Sequence, residues 1–114
     1  MRAKGVQDIL RGGPGSDVAN GGPGADLLEG DGGRDALRAG SGDDELRGGP
    51  GRDRLIGKPG NDTLYGDDGD DVMHGSLDGE RDQFFCGPGT DTVEADGGAE
   101  ADEVADDCER VHWR

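Results

Sequence analysis

Seven aspartates, Asp17, Asp26, Asp35, Asp44, Asp53, Asp62 and Asp71, recur at nine-residue intervals without a break. Each lies two residues after a glycine (Gly15, Gly24, Gly33, Gly42, Gly51, Gly60, Gly69) and two before an apolar residue (Ala19, Leu28, Leu37, Leu46, Leu55, Leu64, Met73). One Asp-Gly pair needs no more explanation than a solvated turn. A periodic set does, because carboxylates that stack at strand spacing repel unless a cation lies between them. Calcium fits such a place, as a hard ion that takes 6–8 oxygens in relaxed geometry from carboxylates and backbone carbonyls. Magnesium fits poorly because it demands a strict octahedron and keeps its water. Zinc fits poorly too, since His74 and His112 stand isolated along the chain and only two cysteines are present.

The elements that must position these side chains follow from the same period. From Gly12 to His74 the blocks read GGPGSDVAN, GGPGADLLE, GDGGRDALR, AGSGDDELR, GGPGRDRLI, GKPGNDTLY and GDDGDDVMH. Glycine at block positions one, two and four permits positive φ and close backbone approach, so six residues can make a tight turn with inward carbonyls. The remaining three residues suffice for a short strand, with position eight pointing in and positions seven and nine pointing out. One turn and one strand make half a coil, so eighteen residues complete a coil and build two facing parallel sheets. The expected fold class is all-β, a right-handed parallel β-roll (β-solenoid) with two repeats per coil. Asp17, Asp35, Asp53 and Asp71 then stack on one edge, and Asp26, Asp44 and Asp62 on the other. An imperfect block places Asp8 and Leu10 in register before them; GSLDGERDQFF, with two extra residues, adds Asp82 and Phe84, and CGPGTDTVE adds Asp91 and Val93. The expectation is one domain over 1–114: repeats over 3–94 with a degenerate first rung and an insertion at 75–85, then a degenerate rung (Asp102, Val104) and a cap over 95–114.

The consensus G-G-x-G-x-D-x-U-x is a known calcium-binding repeat. Over roughly residues 3–94 the chain resembles the hemolysin-type (RTX, repeat-in-toxin) calcium-binding family. The resemblance implies that each ion sits between consecutive turns of one edge, held by position-six aspartates and by turn carbonyls. Carried onto this sequence, the carboxylates are Asp17, Asp26, Asp35, Asp44, Asp53, Asp62, Asp71, Asp82 and Asp91. The turn ligands it implies are Gly12, Pro14 and Ser16; Gly21, Pro23 and Ala25; Gly30, Gly32 and Arg34; and Ala39, Ser41 and Asp43. Gly48, Pro50 and Arg52; Gly57, Pro59 and Asn61; and Gly66, Asp68 and Asp70 complete the set. Counting gaps in both columns gives roughly seven Ca2+ ions. Their charge would offset most of the net −15.

Composition sets the outer bounds. Hydrophobic residues are 29% of the chain, aromatic residues 4%, and 25 residues are glycine. Such a chain buries too little apolar surface to offset its entropy, so without the ions it is expected to be largely unfolded. Its 27 acidic against 12 basic side chains argue against nucleic acid or an anionic membrane as partner. No apolar run of 18 residues spans a membrane, and residues 1–10 lack the apolar core of a secretory signal. Export by sequence outside this chain, or a module excised from a longer protein with flanking domains, is the expectation. The expected setting is extracellular and the expected state a monomer.

Cys86 and Cys108 could close a loop of about 23 residues, worth roughly 3 kcal/mol, or remain two thiols. An oxidising setting with abundant calcium favours the disulfide. The stretch CGPGTDTVEAD followed by DCERV resembles the ending of secreted Gram-positive RTX-type proteins. Phe84, Phe85, Val104, Val111 and Trp113 are the bulky apolar residues available to cap the last layer. No HExxH, GxSxG or catalytic Cys–His spacing is present, and the periodic carboxylates are assigned to calcium, so no enzyme is expected. On one outer face Arg11, Glu29, Arg47, Tyr65 and Phe85 should stack, the first three pairing by charge. The function expected is calcium binding that folds an extracellular structural module. The alternative is a non-catalytic module that binds carbohydrate or protein through the Tyr65/Phe85 face.

Overall fold

The computed structural model describes residues 8–75, 81–95 and 102–113. Its regular structure is twelve short strands in two six-stranded sheets, every pairing parallel. One sheet runs β1 (Ile9–Arg11), β3 (Leu27–Glu29), β5 (Glu45–Arg47), β7 (Thr63–Tyr65), β9 (Gln83–Phe85) and β11 (Glu103–Val104). The other runs β2 (Val18–Asn20), β4 (Ala36–Arg38), β6 (Arg54–Ile56), β8 (Val72–His74), β10 (Thr92–Ala95) and β12 (Arg110–Trp113). The strands fall on block positions seven to nine, as the nine-residue period requires. Chain neighbours alternate between sheets, so the fold is the β-solenoid expected from the sequence.

Residues eighteen apart pair, as in Leu28↔Leu46 and Leu37↔Leu55. Register changes to twenty at Leu64↔Phe84, Met73↔Val93 and Val104↔Phe84. Two added residues therefore enter the turn before β9 and two more the turn before β11, on the same edge. Part of the insertion expected at 75–85 (76–80), the start of the first rung (3–7) and most of 95–101 lie outside the described residues.

The core is the file of position-eight side chains between the sheets. Ala19, Leu28, Leu37, Leu46, Leu55, Leu64, Met73, Phe84 and Val93 have no exposed surface, while Leu10, Val104 and Val111 pack partly buried at the two ends. Each large member contributes about 1.5–3 kcal/mol by leaving water. Position one also faces inward: Ala39, Cys86 and Ala95 are fully buried beside the core.

Glycine does different work at different turn positions. Positions two and four adopt positive φ, as at Gly49 (φ 80°) and Gly51 (φ 114°). Position one does not; there glycine is kept by lack of room, since a Cβ on Gly48 would lie 2.7 Å from Asp53 Oδ2 and 2.8 Å from the Gly66 carbonyl oxygen. At position four both demands coincide, and a Cβ on Gly51 would run into the Gly33 carbonyl. Position two varies: a Cβ on Gly13 would meet nothing, whereas one on Gly40 or Gly49 would lie 2.5–2.6 Å from the carbonyl of the preceding turn, yet the position admits Asp31, Lys58 and Asp67 at φ of 63–67°.

The C-terminal end departs from the expected cap. Phe84 lies inside the core, whereas Phe85 is 39% and Trp113 53% exposed. Trp113 pairs in register with Ala95 on β10 and extends past the layer it was expected to cover. A disulfide between Cys86 and Cys108, with Cα atoms 5.1 Å apart, ties the last turn to the turn one coil below. On the outer face Arg11 pairs with Glu29 across strands at 3.4 Å. Arg47 instead takes Glu45 of its own strand at 2.9 Å and lies 5.3 Å above the Tyr65 ring, which stacks on Phe85 at 5.0 Å.

Gly51→Ala should lower the melting temperature of the calcium-loaded protein by several degrees, through positive φ and collision together. Lys58→Gly should raise it slightly, by relief of about 1 kcal/mol of left-handed strain. Thermal unfolding at saturating calcium reads both; equal shifts in one direction would refute the distinct roles of positions two and four.

Candidate metal centre

Each aspartate sits where a turn becomes a strand, and the backbone clamps that junction on both sides. The position-seven N–H donates to the position-six carbonyl one coil earlier, as Ala36 N to Asp17 O at 2.9 Å. The position-one N–H donates to the position-nine carbonyl one coil later, as Gly30 N to Arg47 O at 2.9 Å. Between these clamps the six-residue turn has little freedom, and every position-six side chain points the same way.

The carboxylates form two continuous ladders. On one edge the N–H groups of Asp17, Asp35, Asp53 and Asp71 donate to Oδ1 of Asp35, Asp53, Asp71 and Asp91, each at 2.8 Å. On the other, Asp8, Asp26, Asp44, Asp62 and Asp82 donate to Asp26, Asp44, Asp62, Asp82 and Asp102 at 2.7–2.9 Å. Each Oδ1 is thus satisfied by a main-chain donor. The second oxygen is not: Oδ2 of Asp17, Asp26, Asp35, Asp44, Asp53, Asp62, Asp71 and Asp91 is buried and accepts no hydrogen bond.

Oδ2 converges with a backbone oxygen. A Cβ on Gly30 would lie 2.6 Å from Asp35 Oδ2 and 2.7 Å from the carbonyl of Gly48, one coil later. The same pair of atoms faces Gly12 (Asp17 Oδ2, Gly30 O) and Gly66 (Asp71 Oδ2, Cys86 O). Buried Oδ2 atoms without donors, with a carbonyl beside those of Asp17, Asp26, Asp35, Asp53 and Asp71, make a set of oxygen ligands suited to a cation. All are hard oxygens, which suits calcium.

Electrostatics show the cost of leaving them bare. Burial, reinforced by neighbouring aspartates and eased by the backbone N–H bonds, pushes Asp62 up to about 9, Asp71 to about 8, Asp53 to about 7, and Asp44 and Asp91 to about 6. Asp26 and Asp35 are raised for the same first cause, desolvation.

The structure brings the position-one and position-six candidates together at every coil. At position three the carbonyls of Asp68 and Pro88 accept N–H bonds from Gly51 and Gly69 at 3.2 Å, leaving their second lone pairs. At position five, side chains bridge turns: Asp43 accepts from Asn61 N, Asn61 Oδ1 from Arg81 N, and Asp70 from Thr90 N, at 2.8–2.9 Å. Sequence reasoning missed a further set. Asp31, Asp67 and Asp107 accept the N–H groups of Gly13, Gly49 and Gly87 at 2.9–3.1 Å. For Asp31 and Asp67 the signal was an aspartate in a left-handed glycine position, which Asp tolerates. Glu109 was missed as well. The last turn is two residues short, and the register Thr92↔Arg110 sets Glu109 beside Asp91 at the end of its column. Cys86, Asp107 and Cys108 also cluster, but the disulfide removes both thiolates.

A family model described as the RTX calcium-binding nonapeptide repeat (4 copies) matches residues 11–46, 29–58 and 47–79. The chain belongs to that family. No curated protein and no solved structure gives a significant match to it. The RTX repeat accounts for the deficit described above: it is a calcium-binding repeat that forms a β-roll, and the orphaned Oδ2 atoms fit the ion.

The pH dependence of the calcium-free RTX chain follows from the raised values. A group whose folded-state pKa is raised favours the fold below the unfolded value near 3.8, and that contribution is lost as pH rises through the folded value. Order in chelator should therefore be greater at pH 5 than at pH 9, with loss between about pH 6 and 9. In calcium the dependence should reverse, because protons compete with the ion. Circular dichroism across pH with and without chelator reads both; β-structure that increases with pH in chelator would contradict the buried, unpaired carboxylates.

Proposed function

We propose that the chain is a non-catalytic extracellular module that calcium converts from a largely unfolded polymer into a rigid, stabilising β-roll. The observation that carries this reading is the file of buried Oδ2 atoms with no hydrogen-bond donor. A fold with these atoms bare carries one desolvated charge or one raised pKa per half-coil, and its thin core of single side chains offers little to oppose that. Calcium supplies the counter-charge between turns, so binding free energy becomes folding free energy.

In this reading the position-six carboxylates Asp17 to Asp91 and the position-one carbonyls are the inner ligands. The carbonyls at positions three and five, Pro14 and Ser16 through Asp68 and Asp70, complete each shell. Roughly seven ions, one for each gap between full repeats, carry about 14 charges against the net −15. An extracellular setting is supported by the Cys86–Cys108 disulfide and by the millimolar calcium such weak, multiple sites require.

Ligand binding through Tyr65 and Phe85 is the second reading. Stacking on a sugar needs an open ring face, and Tyr65 lies between Arg47 and Phe85 with a 13° interplanar angle to the latter. Its faces are covered by its own neighbours, which favours a role in stabilising the outer sheet.

Calcium titrated into chelator-stripped protein should give a cooperative coil-to-β transition by far-UV circular dichroism, which magnesium does not reproduce. A β-roll already formed without calcium would overturn the coupled-folding proposal. Asp53→Ala removes a carboxylate shared by two mid-column gaps and should raise the calcium midpoint several-fold. Asp8→Ala, at the first rung, should shift it much less, and equal shifts would undo the stacked-column reading.

A further inference from the structure

His74 and His112 are 38 positions apart along the chain, yet the fold sets them on one surface. On the outer face of the second sheet, His74 of β8 pairs with Glu94 of β10, and Glu94 pairs with His112 of β12. All three occupy block position nine or its equivalent, so their side chains project to the same side. The order across the strands is His, Glu, His. His74 already leans towards the middle strand, with Nδ1 2.8 Å from Glu94 Oε2. Its side chain and that of Glu94 are about one-third exposed, at 30% and 31%, and His112 is exposed.

We propose that His74, Glu94 and His112 form a second metal site, for a borderline divalent ion of the zinc class, separate from the aspartate columns. Two imidazoles and one carboxylate make the three-ligand set of an open zinc site, with water as the fourth ligand. Zinc bonds of about 2.0–2.1 Å set neighbouring donors roughly 3.3 Å apart in a tetrahedron. That is wider than the 2.8 Å His74–Glu94 hydrogen bond, so the ion would replace this bond and draw the three side chains together. Adjacent strands are about 4.8 Å apart, so the two histidines flank Glu94 at reach for rings that lean inward from either side. His112 is exposed on the edge strand, and its ring must turn towards Glu94 to complete the set.

The donor chemistry separates this site from the calcium sites. The columns offer carboxylate and carbonyl oxygens only, which suit a hard ion, whereas imidazole nitrogen selects zinc, copper or nickel over calcium. The surroundings tolerate a cation. Ile56 is the next residue below His74 in the position-nine row, Arg38 lies one strand further, and the net charge of −15 attracts divalent ions to the whole surface.

The test keeps the aspartate columns full. Zinc is titrated calorimetrically into tag-free protein held at saturating calcium, and cobalt absorption reports coordination geometry. One equivalent of zinc should bind, and cobalt should show tetrahedral or five-coordinate bands. His74→Gln, His112→Gln and Glu94→Gln should each weaken zinc by about tenfold or more and abolish the cobalt bands. Their circular dichroism in calcium should remain that of the parent, since all three lie on the outer face. Zinc that binds equally well to the His74→Gln/His112→Gln double variant sits elsewhere and overturns the proposal. So does the absence of binding to the parent, which would leave His74–Glu94 an outer-face ion pair only.

Discussion

A buried carboxylate with one oxygen bonded and the other bare is the constraint from which this molecule is built. From Asp26 and Asp35 onward, Oδ1 of the position-six aspartate is held by the main-chain N–H of the coil below, which fixes the side chain inside the turn. The bond that orients the carboxylate thereby prevents its escape to water, and Oδ2 remains desolvated. Everything around it serves this placement. Position one must be small because Oδ2 and a carbonyl lie under its Cα, and position four must be glycine because the turn below passes too close for a side chain. The core is a single file of side chains, one from each strand, that spaces the two sheets.

Much of this was legible in the sequence, for a physical reason. A solenoid repeats its contacts at the period of its sequence, so the nine-residue blocks fixed strand positions, the inward residue and the two columns together. Leu28, Leu37, Leu46, Leu55 and Leu64 could be placed from periodicity alone. What escaped was whatever depends on atoms below the level of the period. Position-one glycines were expected to serve positive φ as well as close approach, and only the second holds. Asp31 and Asp67 stand at a position the consensus gives to glycine, so the period gave them no role, although their carboxylates bridge turns. Glu109 was hidden by a turn two residues short, and Trp113, an apparent cap, lies largely in solvent. His74 and His112 looked isolated because the register that joins them includes both a lengthened and a shortened turn.

Turns and strands thus carry different tolerances. Between Asp62 and Asp82, and again between Asp82 and Asp102, the chain takes twenty residues where eighteen are usual, yet both ladder bonds stay at 2.8 Å. Extra length is absorbed in the turn without disturbing the column. A residue added within a strand would invert which side chains face the core. The last turn, in contrast, is short, and there the Cys86–Cys108 bond and the Asp107 carboxylate join coils that a full repeat would join through its turn.

The ladder also gives the roll a polarity. Every position-six N–H in it is directed towards a carboxylate nearer the C-terminus, so the two ends of the stack are chemically unlike: one presents acceptors, the other donors. Like any head-to-tail polymer subunit, such a body is complementary to copies of itself, and unchecked it would grow into a fibre. The shortened, stapled final turn breaks the pattern at one end. A copy stacked on that end would meet a turn of a different length from its own, so the irregularity that shortens the register also spoils the fit between ends.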